Sequence, residues 1–181
     1  MNLKKLSIQD MCFIAIFTTL IAICAQISIP LPGGIPFTLQ TLSIQLAGII
    51  LGAKKGALSA IVYVFLGAIG IPVFARFGTG LGIIIGPTGG FILSFPIMAF
   101  IAGLGANGKS TLRLACGLII CTVVNFLCGM FFFTLVMSSN LQTAFTATTL
   151  PFIPSAIIKI VLLTIVGERM KTTLEKSGLL A

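Results

Sequence analysis

Apolar residues fall in long stretches separated by short clusters of glycine, proline and charge. The first stretch, Met11 to Ile29, carries no charge and is closed by Pro30, Pro32, Gly33, Gly34 and Pro36. Others run from Thr38 to Gly52, Gly56 to Val73, Thr88 to Gly105, Leu114 to Val136 and Pro151 to Val166. A helix needs roughly 20 apolar residues to cross the hydrocarbon of a bilayer. The pattern therefore predicts an all-α polytopic membrane protein with six transmembrane helices, at 11–29, 38–52, 56–73, 88–105, 114–136 and 151–166. Residues 1–181 read as one integral-membrane domain.

Composition points the same way. Of 181 residues, 57% are hydrophobic and 8% charged, with a mean hydropathy of +1.21. A soluble domain carries about a quarter of its residues as charges, so most of this exterior must face lipid. The net charge of +8 does not mark a nucleic-acid binder, because the basic residues fall in pairs between apolar runs rather than in one patch. Histidine is absent, and Cys12, Cys24, Cys116, Cys121 and Cys128 form no C-x-x-C pair, so no metal site, disulfide framework or cofactor is expected. No small-residue cleavage site follows the first run, so no signal peptide is expected.

Charge also orients the chain. With six spans, Lys4, Lys5, Lys54, Lys55, Lys109, Arg113, Arg169, Lys171 and Lys176, nine of eleven basic residues, fall on the side of the termini. Basic residues in short loops stay in the cytoplasm, so both termini are predicted to be cytoplasmic. The opposite side holds Arg76 alone. Its loops, Pro30 to Phe37 and Phe74 to Pro87, are long and glycine-rich, with apolar Leu81, Ile83, Ile84 and Ile85 able to fold inward over a cavity.

Gly103 to Ser110 satisfies G-x-x-x-x-G-K-[ST], the phosphate-cradling loop. Its context fails, because that loop follows a strand and here it joins two membrane runs. It is read as a glycine-rich turn with a topology-setting Lys109, whose replacement by Ala should leave ligand affinity intact.

Between residues 11 and 167 the chain has no acid and no histidine. An ion-coupled carrier lacks its usual coupling group and an acid/base enzyme its general base. A solute moved uphill would take its energy through a partner. The internal charge is instead Lys159, whose unpaired ammonium costs about 2.5–3.5 kcal/mol at mid-membrane. Its side chain leans toward the outer end of its helix, so a small anion, such as a carboxylate, is the expected counter-ion. Snorkelling to water or bonding to backbone carbonyls is the alternative. Arg76 can clamp the same anion or stand solvated. Gly86-Pro87-Thr88-Gly89-Gly90 opens the fourth span, where free amides favour acceptor atoms on a ligand, and Pro96 predicts a kink. Thr38 and Gln40 offer donors and acceptors suited to a urea or amide, with Gln26 and Asn125 as further amides; interhelical bonding is the competing role.

Taken in order, Ala25-Gln26-Ile27-Ser28-Ile29-Pro30 with Pro36-Phe37-Thr38-Leu39-Gln40, Gly70-Ile71-Pro72-Val73-Phe74-Ala75, Gly86-Pro87-Thr88-Gly89-Gly90-Phe91, and Pro151-Phe152-Ile153-Pro154 with Lys159 resemble the BioY family. The resemblance runs over essentially the whole chain. It implies a biotin-binding S component of an energy-coupling-factor (ECF) transporter: six helices, an outward-facing cavity for biotin, and no ATPase of its own. Its partners would be a shared membrane subunit and two ABC ATPases, and the S component would topple in the membrane to deliver the vitamin. The family pattern departs at Ala156, where many relatives carry an acid three positions before the lysine.

Ala15, Thr18, Ala22 and Ala25 form a small-residue stripe on the first span, where another helix can approach closely. The resemblance implies docking of the membrane subunit there; packing within the bundle is the alternative. Two other functions stay open: capture of another small anionic vitamin on the same scaffold, and a membrane enzyme acting on lipid, which lacks an activated nucleophile.

Overall fold

A computed structural model describes residues 6–29, 35–108 and 110–177. Lys4, Lys5, Lys109 and the run Pro30 to Gly34 lie outside the described residues. Seven helices are found among those described: α1 (Ile8–Gln26), α2 (Gln40–Ala68), α3 (Leu81–Ile84), α4 (Gly89–Gly105), α5 (Thr111–Met137), α6 (Leu141–Thr148) and α7 (Ile153–Lys176). The all-helical expectation misses one small ribbon, β1 (Ser28–Ile29) antiparallel to β2 (Phe37–Thr38), with Ser28 opposite Thr38.

The helix starts follow their caps. Ser7 and Asp10 form a reciprocal capping box at α1, and Ser110 and Asn140 accept from Arg113 N and Thr143 N at α5 and α6. α1 ends before Ile29, because the chain there turns into the ribbon. α7 runs to Lys176, well past the predicted end at Val166, since hydropathy stops reporting a helix once charged residues return.

α2 is two antiparallel limbs, 40–51 and 53–68, hinged at Gly52. Gln40 and Tyr63 are bonded at 2.6 Å, whereas 23 residues of straight helix would hold them about 35 Å apart. Gly52 sits at φ 78° and ψ 171°, a backbone conformation glycine adopts without steric cost. The limbs correspond to the second and third predicted elements, although the third stops at Ala68 rather than Val73.

In lipid, helices associate through close packing rather than expulsion of water, and small residues permit it. A Cβ on Gly48 would stand 2.2 Å from Ala99 O, so the first limb of α2 and α4 meet backbone to backbone. Ala99 and Ala102 are fully buried in this seam. Around it pack Ile21, Ile44, Tyr63, Phe95, Met98, Leu118 and Leu163. The outer surface is also apolar: Ile16, Ile23, Phe65, Phe131, Ile158 and Ile165 are exposed, the arrangement of a protein solvated by acyl chains. Three described helices and the run 141–174 are long and apolar enough to cross a membrane, with α4 a shorter apolar helix.

The glycine-rich phosphate-loop match falls at the end of α4, not after a strand. Gly103 is buried there, with a Cβ built on it 2.3 Å from Ala53 N, and Gly105 lies against Gly117. Helix packing occupies the backbone that a nucleotide would need.

Candidate functional site

A cavity of about 280 Å³ opens at the end of the molecule that holds the β1–β2 ribbon and Arg76. That approaches the lower end of the roughly 300–1,000 Å³ typical of small-molecule sites. Its walls are Thr38, Gln40 and Thr41 from the ribbon and α2, Phe91, Ile92 and Phe95 from α4, and Phe152 and Lys159 from the start of α7. Phe74, Arg76 and Ile83 close it from the long loop, and Ile35 and Pro36 from the other side.

Lys159 reaches across from α7. Its Nζ donates to Thr38 O at 2.7 Å and to Thr41 Oγ1 at 2.9 Å, and lies 4.9 Å from the centroid of the Phe37 ring, a cation–π contact. The Phe37 ring in turn stacks on Phe152. All three partners are neutral, and no described acid pairs with Lys159. An ammonium has three N–H donors, and hydrogen bonds to Thr38 and Thr41 take two of them.

The long loop is a tight turn closed by a Phe74–Gly78 bridge. Inside it, Arg76 and Phe77 both adopt left-handed angles, φ 59° and 57°, at a cost of roughly 1–2 kcal/mol per residue. Phe74 is a buried plug, edge-on to Tyr63 at 5.6 Å. Tyr63 Oη donates to Val73 O, and Gln26 on α1 bonds three backbone groups of the same loop.

Sequence reading named ten candidate binding residues, and the structure separates them. Lys159, Arg76, Gln40, Thr38 and Thr88 line the cavity. Gly86, Pro87, Gly89 and Gly90 do not. The amides of Gly86 and Gly89 are spent in turns, on Ile83 O and Gly86 O, and a Cβ on Gly90 would strike Cys128 O at 2.4 Å. Gly89 and Gly90 let the start of α4 approach its neighbours closely, and Gly86 sits in the turn before it. Asn125 also lies outside: its amide donates to Phe91 O and Ser94 Oγ, tying α5 to α4. It borders a separate void of about 40 Å³ behind Lys159, with Gln45, Thr122, Ser155 and Ala156.

The small-residue stripe is also divided. Ala25 is fully buried, and Thr18 is buried with its hydroxyl on Ser59 O. Both pack within the bundle, leaving Ala15 exposed and Ala22 half-buried. Thr41, Phe37 and the cavity phenylalanines were not singled out from sequence. Thr41 lies in the first turn of α2, where its hydroxyl accepts from Lys159 Nζ.

The sequence pattern of the BioY family matches residues 1–176. The chain belongs to the BioY family. Among relatives of this BioY-family chain, the probable biotin transporter BioY of Pyrococcus horikoshii is 40% identical over 163 residues, 90% of this chain and 96% of that protein. The biotin transporter BioY of Thermotoga maritima is 39% identical over 158 residues, 86% of this chain and 92% of that protein. The fold matches a crystal structure at 2.1 Å of the S-component for biotin from an ECF-type ABC transporter, with a TM-score of 0.85, 23% identity and 95% of each chain covered.

Proposed function

We propose that this chain is the high-affinity biotin-capture subunit of an ECF-type importer in the cytoplasmic membrane. Six limbs cross the bilayer in this reading: α1, both limbs of α2, α4, α5 and α7, with the termini in the cytoplasm. The distribution of contacts supports that orientation. Lys55 pairs with Asp10 and Lys171 donates to Ala106 O at one end, and Arg76 stands at the cavity end.

Biotin has a valerate carboxylate, a ureido group and an apolar thiophane body. In the proposed complex Lys159 and Arg76 receive the carboxylate, Thr38, Gln40 and Thr88 meet the ureido group, and Phe91, Phe95 and Phe152 cover the rings. One observation carries this reading: both cavity cations lack an acid partner among the described residues, so an anionic ligand completes their charge balance. Energy for transport comes from a shared membrane subunit and two ABC ATPases; the S component only captures and delivers.

Titration of the purified protein in detergent with biotin and with its methyl ester tests the proposal. Biotin should bind at least tenfold tighter than the ester. Equal affinities would remove Lys159 and Arg76 from charge recognition, and failure to bind biotin with capture of another anionic vitamin would move the assignment to that ligand.

A further inference from the structure

Gln26 is the last residue of α1 and makes four hydrogen bonds. Its Nε2 shares two N–H donors among Ala22 O at 3.2 Å within the helix and Val73 O at 3.3 Å and Phe74 O at 3.1 Å in the loop. Its Oε1 accepts from Phe77 N at 2.8 Å. One side chain therefore grips the loop on both sides of Arg76, about 50 residues along the chain from it.

The grip matters because of the loop's conformation. Arg76 and Phe77 are successive non-glycine residues in the left-handed region, a state that persists only where surrounding contacts hold it. Phe74 anchors one side by burial against Tyr63. On the other side the Phe77 amide has Gln26 Oε1 as its acceptor. Without that oxygen the Phe77 N–H loses the bond that favours its positive φ, and the left-handed backbone that places Arg76 at the cavity rim loses its support.

We propose that Gln26 is a positioning residue that holds Arg76 over the cavity, so that the end of α1 sets how firmly the anionic end of the ligand is gripped. This rests on Arg76 contacting a carboxylate, as in the function proposed above. It also links α1, the helix carrying exposed Ala15, directly to the ligand's clamp: a displacement of α1 would release the Phe77 amide and slacken Arg76.

The test is a double-mutant cycle read as discrimination, the ratio of affinities for biotin and its methyl ester, in full-length protein. Arg76→Ala should reduce that ratio about tenfold. Gln26→Leu, which keeps the apolar stem, should reduce it by a similar factor, and the double variant should be no worse than Arg76→Ala alone, because both changes remove one interaction. A purely structural role would instead weaken acid and ester equally and leave the ratio intact. Gln26→Asn, polar but one methylene short, is the second variant should the leucine form not be recovered folded, and it should also lose discrimination. If Arg76→Ala leaves the ratio unchanged, the placement of Arg76 fails and the inference with it. If Arg76→Ala lowers the ratio while Gln26→Leu or Gln26→Asn does not, or the effects simply add, the role of Gln26 alone is overturned.

Discussion

Tyr63 accepts a hydrogen bond from Gln40 Nε2 at 2.6 Å and donates one to Val73 O at 3.1 Å. One phenol thus joins both limbs of the α2 hairpin to the loop that closes the cavity. Gln40 is 6% exposed and Tyr63 fully buried, so the Tyr63 hydroxyl has no water to fall back on. Tyr63→Phe keeps the ring against Phe74 and removes only the oxygen. It leaves the Gln40 amide without an acceptor, a loss of about 1 kcal/mol, since hydrogen bonds within membranes contribute about 0.6 kcal/mol on average and up to ~1.7. The expected outcome is a lower melting temperature in detergent and biotin affinity weakened severalfold. Unchanged melting would show that the Gln40–Tyr63 bond does not hold the hairpin together.

Lys159 carries the charge argument. Lys159→Met preserves much of the side chain's length and its contact with Phe37, and removes the ammonium. Biotin affinity should fall at least tenfold while the methyl ester is affected little. Thr38 O and Thr41 Oγ1 lose their donor in the same variant, so some loss of stability accompanies it. An equal loss for acid and ester would assign Lys159 a purely structural task.

How much of this was legible depends on what each residue type signals. Lys159 stood out because a charge in an apolar run has few explanations, and it does line the cavity. The hairpin could be read from Lys54 and Lys55, which interrupt two apolar runs, and from Gly52 beside them. Gly86 to Gly90 is ambiguous in the sequence because glycine marks both exposed amides and close packing: Thr88 of this run lines the cavity, whereas Gly90 presses on Cys128 O. The cavity phenylalanines were hidden among 15 of their kind, most of which face lipid or neighbours. The two-residue strands at 28–29 and 37–38 are too short to leave a period in the sequence. Along the stripe of α1, small size is visible in the sequence but the direction each residue faces is not, so Ala25 and Ala15 look alike until one is found buried and the other exposed.

The void beside Ala156 gives a third test. It measures about 40 Å³ and is bordered by both Ala156 and Lys159, which are three residues apart on one helical face. Ala156→Asp places a carboxylate there, within reach of the ammonium. An internal acid then competes with the ligand's carboxylate for Lys159. Discrimination between biotin and its methyl ester should drop several-fold, with total biotin affinity set by whether the new acid also accepts from the ureido N–H groups. If discrimination does not move, Lys159 is not the group the carboxylate meets.

If the coupling subunit docks on α1, transport should be separable there from capture. Ala15 is exposed on the outer face of the helix, whereas Ala25 is fully buried and Thr18 is bonded to Ser59 O within the bundle. Ala15→Trp therefore adds bulk only where another protein or lipid would lie, while Ala25→Trp forces bulk into the core. With the coupling subunit docking against α1, Ala15→Trp should leave biotin binding by the isolated protein unchanged and reduce uptake in cells carrying the complete transporter at least tenfold. Ala25→Trp should lower the melting temperature and the yield of folded protein, because overpacking typically costs about 1–3 kcal/mol. Lipid yields to an added indole, whereas a close helix–helix contact does not, so the size of the transport defect reports which of the two lies against Ala15. Normal uptake by the Ala15 variant, at normal membrane levels, would put the docking face on another helix.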